Sequence, residues 1–146
     1  MSQTVTVRVP DDTAAWLKSA ARRAGRSVSE LGAGLFEEAR RASEFSQIEF
    51  RTFQGERHAC LAGGLRLWKL ILTAQDYDMN AERTAAHFDM PVWKVQAAFR
   101  YYEAFPDEID APIRELRSMT FEELRRRLPQ IEKIEIDLSG SDETPE

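Results

Sequence analysis

The stretch that decides the fold is Gln3-Thr-Val-Thr-Val-Arg-Val9, then Pro10-Asp-Asp-Thr13, an alanine-rich run, and Gly25-Arg-Ser-Val-Ser-Glu30 opening a second helical segment to Arg41. The first seven residues alternate with period two, so Val5, Val7 and Val9 share one face and Thr4, Thr6 and Arg8 the other. Pro10 ends this strand because it has no N–H for a ladder. Asp11 and Asp12 are N-cap candidates for the next helix, which carries Trp16, Leu17, Ala20, Ala21 and Ala24 as an apolar stripe. Gly25 suits the left-handed position after a helix. Ser27 and Glu30 have capping-box spacing, and Val28, Leu31, Leu35, Phe36 and Ala39 continue the second helix.

A lone strand leaves both edges unpaired and is marginal in water. Two copies pairing antiparallel satisfy one edge of each and bury both valine rows, so the pattern predicts a homodimer. A two-stranded ribbon fits the major groove of B-DNA, which turns Thr4, Thr6 and Arg8 toward base edges. The start of the second helix, at Ser27, Val28 and Ser29, presents N–H groups and a positive dipole end to a phosphate. Gly32 and Gly34 inside that helix each cost about 1 kcal/mol against alanine, and allow either close helix crossing in the dimer or a looser helix. The competing reading is an N-terminal strand of a larger α+β domain.

This segment resembles the ribbon-helix-helix family of dimeric bacterial repressors and antitoxins over about 40 residues, carried by the alternating strand, the Val-Pro-Asp-Asp junction and the Gly-Arg-Ser-Val-Ser-Glu turn. The resemblance implies repression by ribbon insertion, with Thr4, Thr6 and Arg8 as base-reading residues.

The 146 residues have room for one ordinary domain or two small ones, and 42% hydrophobic residues suffice for packed cores. No stretch is apolar over the roughly 18 residues a membrane span needs. The opening residues lack the layout of a secretory signal, and the one cysteine, Cys60, forms no internal disulfide framework, so the expected location is cytoplasmic. The net charge of −5 is unevenly spread. Residues 1–45 hold seven Lys/Arg and six Asp/Glu, residues 46–106 seven of each, and residues 107–146 six against twelve. An acidic C-terminal quarter therefore follows a slightly basic head.

After a short polar joint at 41–47, residues 48–53 and 57–61 read as a hairpin about Gln54, Gly55 and Glu56. Residues 65–77 form a helix with Leu67, Trp68, Leu70, Ile71 and Ala74 on one face. A second runs from the Asn80 cap over 81–88, and a third over 92–105 between Pro91 and Pro106. Ala85, Phe88, Met90, Val95, Ala98, Phe99 and Tyr102 have the spacing of the buried positions of a helix-turn-helix. That leaves Trp93, Lys94, Gln96, Ala97 and Arg100 outward, with Lys94, Gln96 and Arg100 as candidate DNA contacts. The alternative is a three-helix scaffold that uses the same packing for protein contact.

Residues 48–110 resemble a small domain of bacterial antitoxins, often encoded beside toxins with a PIN-like ribonuclease fold. The carrying residues are Gly63-Gly-Leu-Arg-Leu-Trp-Lys-Leu-Ile71, Val95-Gln-Ala-Ala-Phe-Arg-Tyr-Tyr102 and Phe105-Pro-Asp-Glu-Ile-Asp110. Where that family has an aliphatic residue one turn into the middle helix, this chain has Thr84. The resemblance implies a winged helix-turn-helix-like module acting in a toxin–antitoxin pair.

Residues 112–119 read as another helix, and Thr120-Phe-Glu-Glu123 as a capping box opening a helix over 122–128. Ile131, Ile134, Ile136 and Leu138 alternate with acidic residues in a β-prone run, and residues 139–146 are polar and read as a disordered acidic tail. The resemblance implies that this segment wraps a protein toxin, with Phe121, Leu124, Leu128, Ile131, Ile134 and Ile136 as the contacts. Folding back on the middle domain is the alternative.

Catalytic and metal chemistry find no constellation. His58, His87 and Cys60 lack ligand spacing, and Gly63-Gly64 lacks the Lys-Ser/Thr of a phosphate loop. Trp16, Trp68 and Trp93 fall on helical stripes and read mostly as core, with an exposed anchor as the alternative for Trp93. The expectation is a mostly α (α+β) protein in four parts: a ribbon-helix-helix arm (1–45), a helix-turn-helix-like domain (46–110), partner-binding helices and strand (111–138), and the tail. The expected function is not enzymatic and needs no cofactor or metal. It is the antitoxin of a type II module, a homodimer that binds double-stranded operator DNA, represses its own operon and neutralises a protein toxin, in a larger hetero-oligomer with it. The alternative is a stand-alone dimeric regulator.

Overall fold

A computed structural model describes residues 1–127. The described chain is mostly helical with one small antiparallel sheet. Its elements are α1 (Asp11–Ala24), α2 (Val28–Glu44), β1 (Ile48–Phe53), β2 (Glu56–Leu61), α3 (Leu67–Asp76), α4 (Ala81–Phe88), α5 (Val92–Ala104), α6 (Pro106–Ser118) and α7 (Phe121–Arg127).

Short-range chemistry sets most boundaries. Gly25 adopts φ 64° after α1, and the Arg26 N–H closes onto the Ala21 carbonyl at 3.0 Å, a Schellman-type end. The Ser27 hydroxyl accepts the Glu30 N–H at 3.1 Å, and the Asn80 side chain accepts the Arg83 N–H at 2.8 Å. At Thr120 both halves of a capping box form: the hydroxyl accepts from the Glu123 N–H, and the Glu123 carboxylate accepts from the Thr120 N–H. The α1 cap differs from expectation. Pro10 occupies the cap position without a side-chain bond, and Asp11 and Asp12 lie in the first turn, where their charge meets the helix dipole.

The hairpin pairs Ile48 with Leu61 through Phe53 with Glu56. Its loop is therefore the two residues Gln54 and Gly55, not three. Both have positive φ, 50° and 83°, as the tight primed turns require.

The core gathers Ile48, Leu61, Leu67, Leu70, Ile71, Val95, Ala98, Tyr101, Ile109 and Ile113, with Phe45, Phe50 and Phe105 against it. Thr84 takes a fully buried position, its hydroxyl satisfied by donating to the Asn80 carbonyl at 2.8 Å. Three expectations change here. The helix placed at 112–119 begins at Pro106, with Asp107 and Glu108 in its first turn and Pro112 inside it. Pro106 is pre-set for a first helical position, and Ile109 and Ile113, one turn apart, bury the stripe that holds α6 on the core. The boundary drawn at residue 110 thus falls within one helix. Finally, the supposed polar joint at 41–47 is structural: α2 runs on to Glu44 and Phe45 enters the core.

Candidate nucleic-acid interface

Residues 3–9 form no strand in the single chain: a ladder needs a second strand, and the described residues offer none there. All of residues 1–10 are exposed, including the candidate base-reading Thr4, Thr6 and Arg8. Val5, Val7 and Val9 are exposed too, at 77, 53 and 45%. On the two helices that follow, Trp16 (52%), Val28 and Phe36 (64%) are exposed as well. Trp16, expected in the core, is half out. In α1 only Ala21 is buried, and α2 buries no residue fully.

The candidate phosphate site lies at the α1–α2 turn. Ser27, Val28 and Ser29 are exposed at the capped start of α2, and the Ser27 hydroxyl is used by the cap. The sequence reading omitted the basic residues around it. Arg22, Arg23 and Arg26 are all exposed and flank that helix start. Arg23 reaches the Ser19 hydroxyl at 3.0 Å, and among the described residues no carboxylate pairs with any of the three. The run Ala21-Arg-Arg-Ala-Gly-Arg-Ser27 carried the signal: two arginines in the last turn of α1 and a third just before the α2 cap put three cations in the five residues before a helix N-terminus.

The arm is welded to the second module. Arg41, near the end of α2, donates to the Tyr101 hydroxyl on α5 at 3.0 Å and to the Glu108 carboxylate on α6, while Tyr101 donates to Glu108 at 2.7 Å. The guanidinium also lies 3.8 Å from the Phe105 ring centroid. Burial alone would lower the Arg41 pKa, but its hydrogen bonds to Tyr101, Glu108 and Glu37 outweigh burial and hold it above the ordinary arginine value. Burial, then the bond to Glu108, pushes the Tyr101 hydroxyl well above the usual tyrosine range. One turn earlier, Glu38 takes a bidentate bond from Arg57 on β2, at 2.7 and 3.1 Å. A cleft of about 440 Å³ between α2, the hairpin and α6 is lined by these same charged groups. Because Glu37, Glu38 and Glu108 are already engaged, it is the surface of the weld.

On α5 the expected inward and outward faces are only partly kept. Val95 and Ala98 are buried, and Phe88, Met90, Phe99 and Tyr102 are half-buried against the core. Tyr101 is fully buried, and Ala97, expected outward, is buried at 3%. The reason is that α5 packs against α3, α4, α6 and β1 together, so its covered arc is wider than one stripe. The remaining outward residues are Trp93 (52% exposed), Gln96 and Arg100, with Lys94 half-buried beside Trp93.

Of the residues expected to meet a toxin, Phe121 and Leu124 lie half-buried on α7, while Leu128, Ile131, Ile134 and Ile136 lie outside the described residues. The groups with catalytic or ligating potential are occupied or isolated. Cys60 is buried, which pushes its thiol up, and the His87 Nδ1 is 3.1 Å from the Tyr77 hydroxyl. Among the described residues no three His, Cys, Asp or Glu side chains gather as a metal site, and no helix is long and apolar enough to cross a membrane. No family model, curated protein or solved structure matches the chain.

Proposed function

We propose that this chain is a dimeric, DNA-binding antitoxin: two copies pair through residues 3–9, insert the resulting ribbon into the major groove of an operator, and use the C-terminal segment to neutralise a protein toxin. The observation that supports the DNA-binding half is the exposure of Val5, Val7, Val9, Trp16, Val28 and Phe36, all within the first 44 residues. Burying one such side chain is worth about 1.5–3 kcal/mol, so six left in water in one region call for a partner surface. An identical chain brings the matching strand. With the valines turned inward, Thr4, Thr6 and Arg8 point outward by strand alternation, and Arg22, Arg23 and Arg26 stand ready for the phosphates.

The toxin-binding half rests on the resemblance of residues 48–110 and of the helix and β-prone run that follow, within residues 111–138. The second reading is a stand-alone dimeric regulator. It is favoured by Phe121 and Leu124, which are already half-buried within the single chain. Inducing the adjacent gene alone, then together with this chain, separates the two. Toxicity that the full chain relieves, and that a deletion of residues 120–146 does not, supports the antitoxin; a harmless neighbour supports the regulator. For the DNA-binding half, Arg8→Ala is expected to leave the dimer intact and to abolish sequence-selective binding. Unchanged selectivity would contradict the groove assignment.

A further inference from the structure

We propose that α5 is a second DNA-reading element, held by the Arg41 weld at a fixed offset from the arm, so that the operator is bipartite with rigid spacing between its central and flanking parts. This rests on the reading of the arm as DNA-binding.

The exposed face of α5 carries Trp93, Gln96 and Arg100 at helical spacings of three and four, so they form one stripe. Lys94 lies beside it, its Nζ 5.8 Å from the Trp93 ring centroid. Among the described residues neither Gln96 nor Arg100 has a hydrogen-bond or ion-pair partner, and Lys94 has no carboxylate. Their chemistry matches base pairs and phosphate: Gln pairs bidentately with adenine, Arg with guanine, and Lys neutralises a backbone charge. No carboxylate interrupts the stripe between Trp93 and Arg100. Outside the arm, Trp93 is the one large apolar side chain left exposed among the described residues. The stripe cannot rotate, because Val95, Ala98 and Tyr101 on the other side are fully buried. The preceding α4 meets α5 through a three-residue turn in which Asp89 takes φ 51° and Pro91 caps α5, a turn of the length that joins the two helices of a helix-turn-helix.

The fixed offset comes from α2. Its 17 residues span about 25 Å as one helix, which starts at the candidate phosphate site at Ser27 and carries the weld in its last two turns. Glu38–Arg57, Arg41–Tyr101–Glu108 and the Phe45 ring then tie it to β2, α5 and α6. There is no free linker between the two regions, since β1 starts four residues after α2 ends. When the arm seats on DNA, each α5 is therefore carried to one position, not to a range of positions.

The test uses the full chain. Duplexes are selected from a random pool, and hydroxyl-radical footprints are taken on the selected sequence. The expected footprint has a central protected segment and two symmetric flanks. The double variant Gln96→Ala/Arg100→Ala, at exposed positions, is expected to keep the dimer and the central protection, lose the flanks, and weaken binding by about tenfold or more. Inserting about five base pairs, half a helical turn, between centre and flank is expected to remove flank protection by the unaltered protein. A central footprint without flanks, or flanks that survive both changes, overturns the proposal while leaving the arm reading intact. Flanks absent and Trp93 instead covered by a second protein would assign the stripe to protein contact and overturn it equally. Failure to select any duplex overturns the arm reading, and this inference with it.

Discussion

Residues 1–44 and residues 45–118 use the same amphipathic helices in opposite ways. In the second region α3, α5, α6 and the hairpin turn their apolar faces on one another, and Leu67, Leu70, Ile71, Val95 and Tyr101 lose all contact with solvent. In the first, two helices of 14 and 17 residues bury only Ala21 between them, and a row of three valines lies open. A helix is held chiefly by packing of its apolar face, not by propensity. One region therefore carries the means of its own stability, and the other, in the proposed dimer, would be completed by a second surface. The weld between them makes the first region an extension of the second: α2 is anchored at its C-terminal end and open along the rest.

Breaking this contrast has its largest expected effect at the valine row. Val7→Asp places a charge in the centre of the proposed ribbon and is expected to abolish dimerisation, with the helical content of the single chain nearly unchanged; circular dichroism and light scattering together check it. Next is Leu70→Ala, in the centre of the closed core. It is expected to cost about 2–5 kcal/mol in a denaturant titration. Phe36→Ala, on the open α2 face, is expected to cost little in a monomer and to weaken the dimer, which an unfolding curve at two protein concentrations resolves.

The weld supplies a smaller effect. Arg41→Ala leaves the Glu108 carboxylate and Tyr101 hydroxyl without their cation and is expected to destabilise by about 1–3 kcal/mol. The Tyr101 hydroxyl is held above its ordinary value of 10.0, so the folded state favours the protonated form. That contribution is fully present below pH 10 and is lost as pH rises through the raised folded value. Stability is expected to fall from about pH 10 upward, and Tyr101→Phe to flatten that fall. The smallest effect sharpens the comparison. A Cβ added at Gly34 meets nothing within 4 Å in the single chain. Gly34→Ala is therefore expected to stabilise α2 by about 1 kcal/mol. Loss of dimer in its place would place the helix crossing of the two copies at Gly34.

What the sequence made legible was local. Gly25, Ser27, Asn80 and Thr120 announced their turns and caps, since a cap depends on three or four neighbouring residues. The α4 and α5 starts followed from Asn80 and Pro91. What stayed hidden depends on distant partners. Tyr101 was absent from the expected core because a tyrosine is buried only if its hydroxyl is met, and here Arg41 and Glu108 meet it from 60 residues before and seven after. Ala97 reads as outward until four elements are seen to surround α5. Pro112 reads as a helix start, and only the buried pair Ile109 and Ile113 shows the helix passing through it. At the candidate interface, alternation alone proposes Thr4, Thr6 and Arg8, whereas residues 3–9 form no strand in the single chain.

The most direct test of the central claim is the mass of the full chain in solution, by sedimentation equilibrium over a range of concentrations. One chain is 16.7 kDa. The account predicts about twice that mass, falling to the single-chain value in Val7→Asp. A single-chain mass at every concentration, or a dimer that Val7→Asp leaves intact, would contradict it.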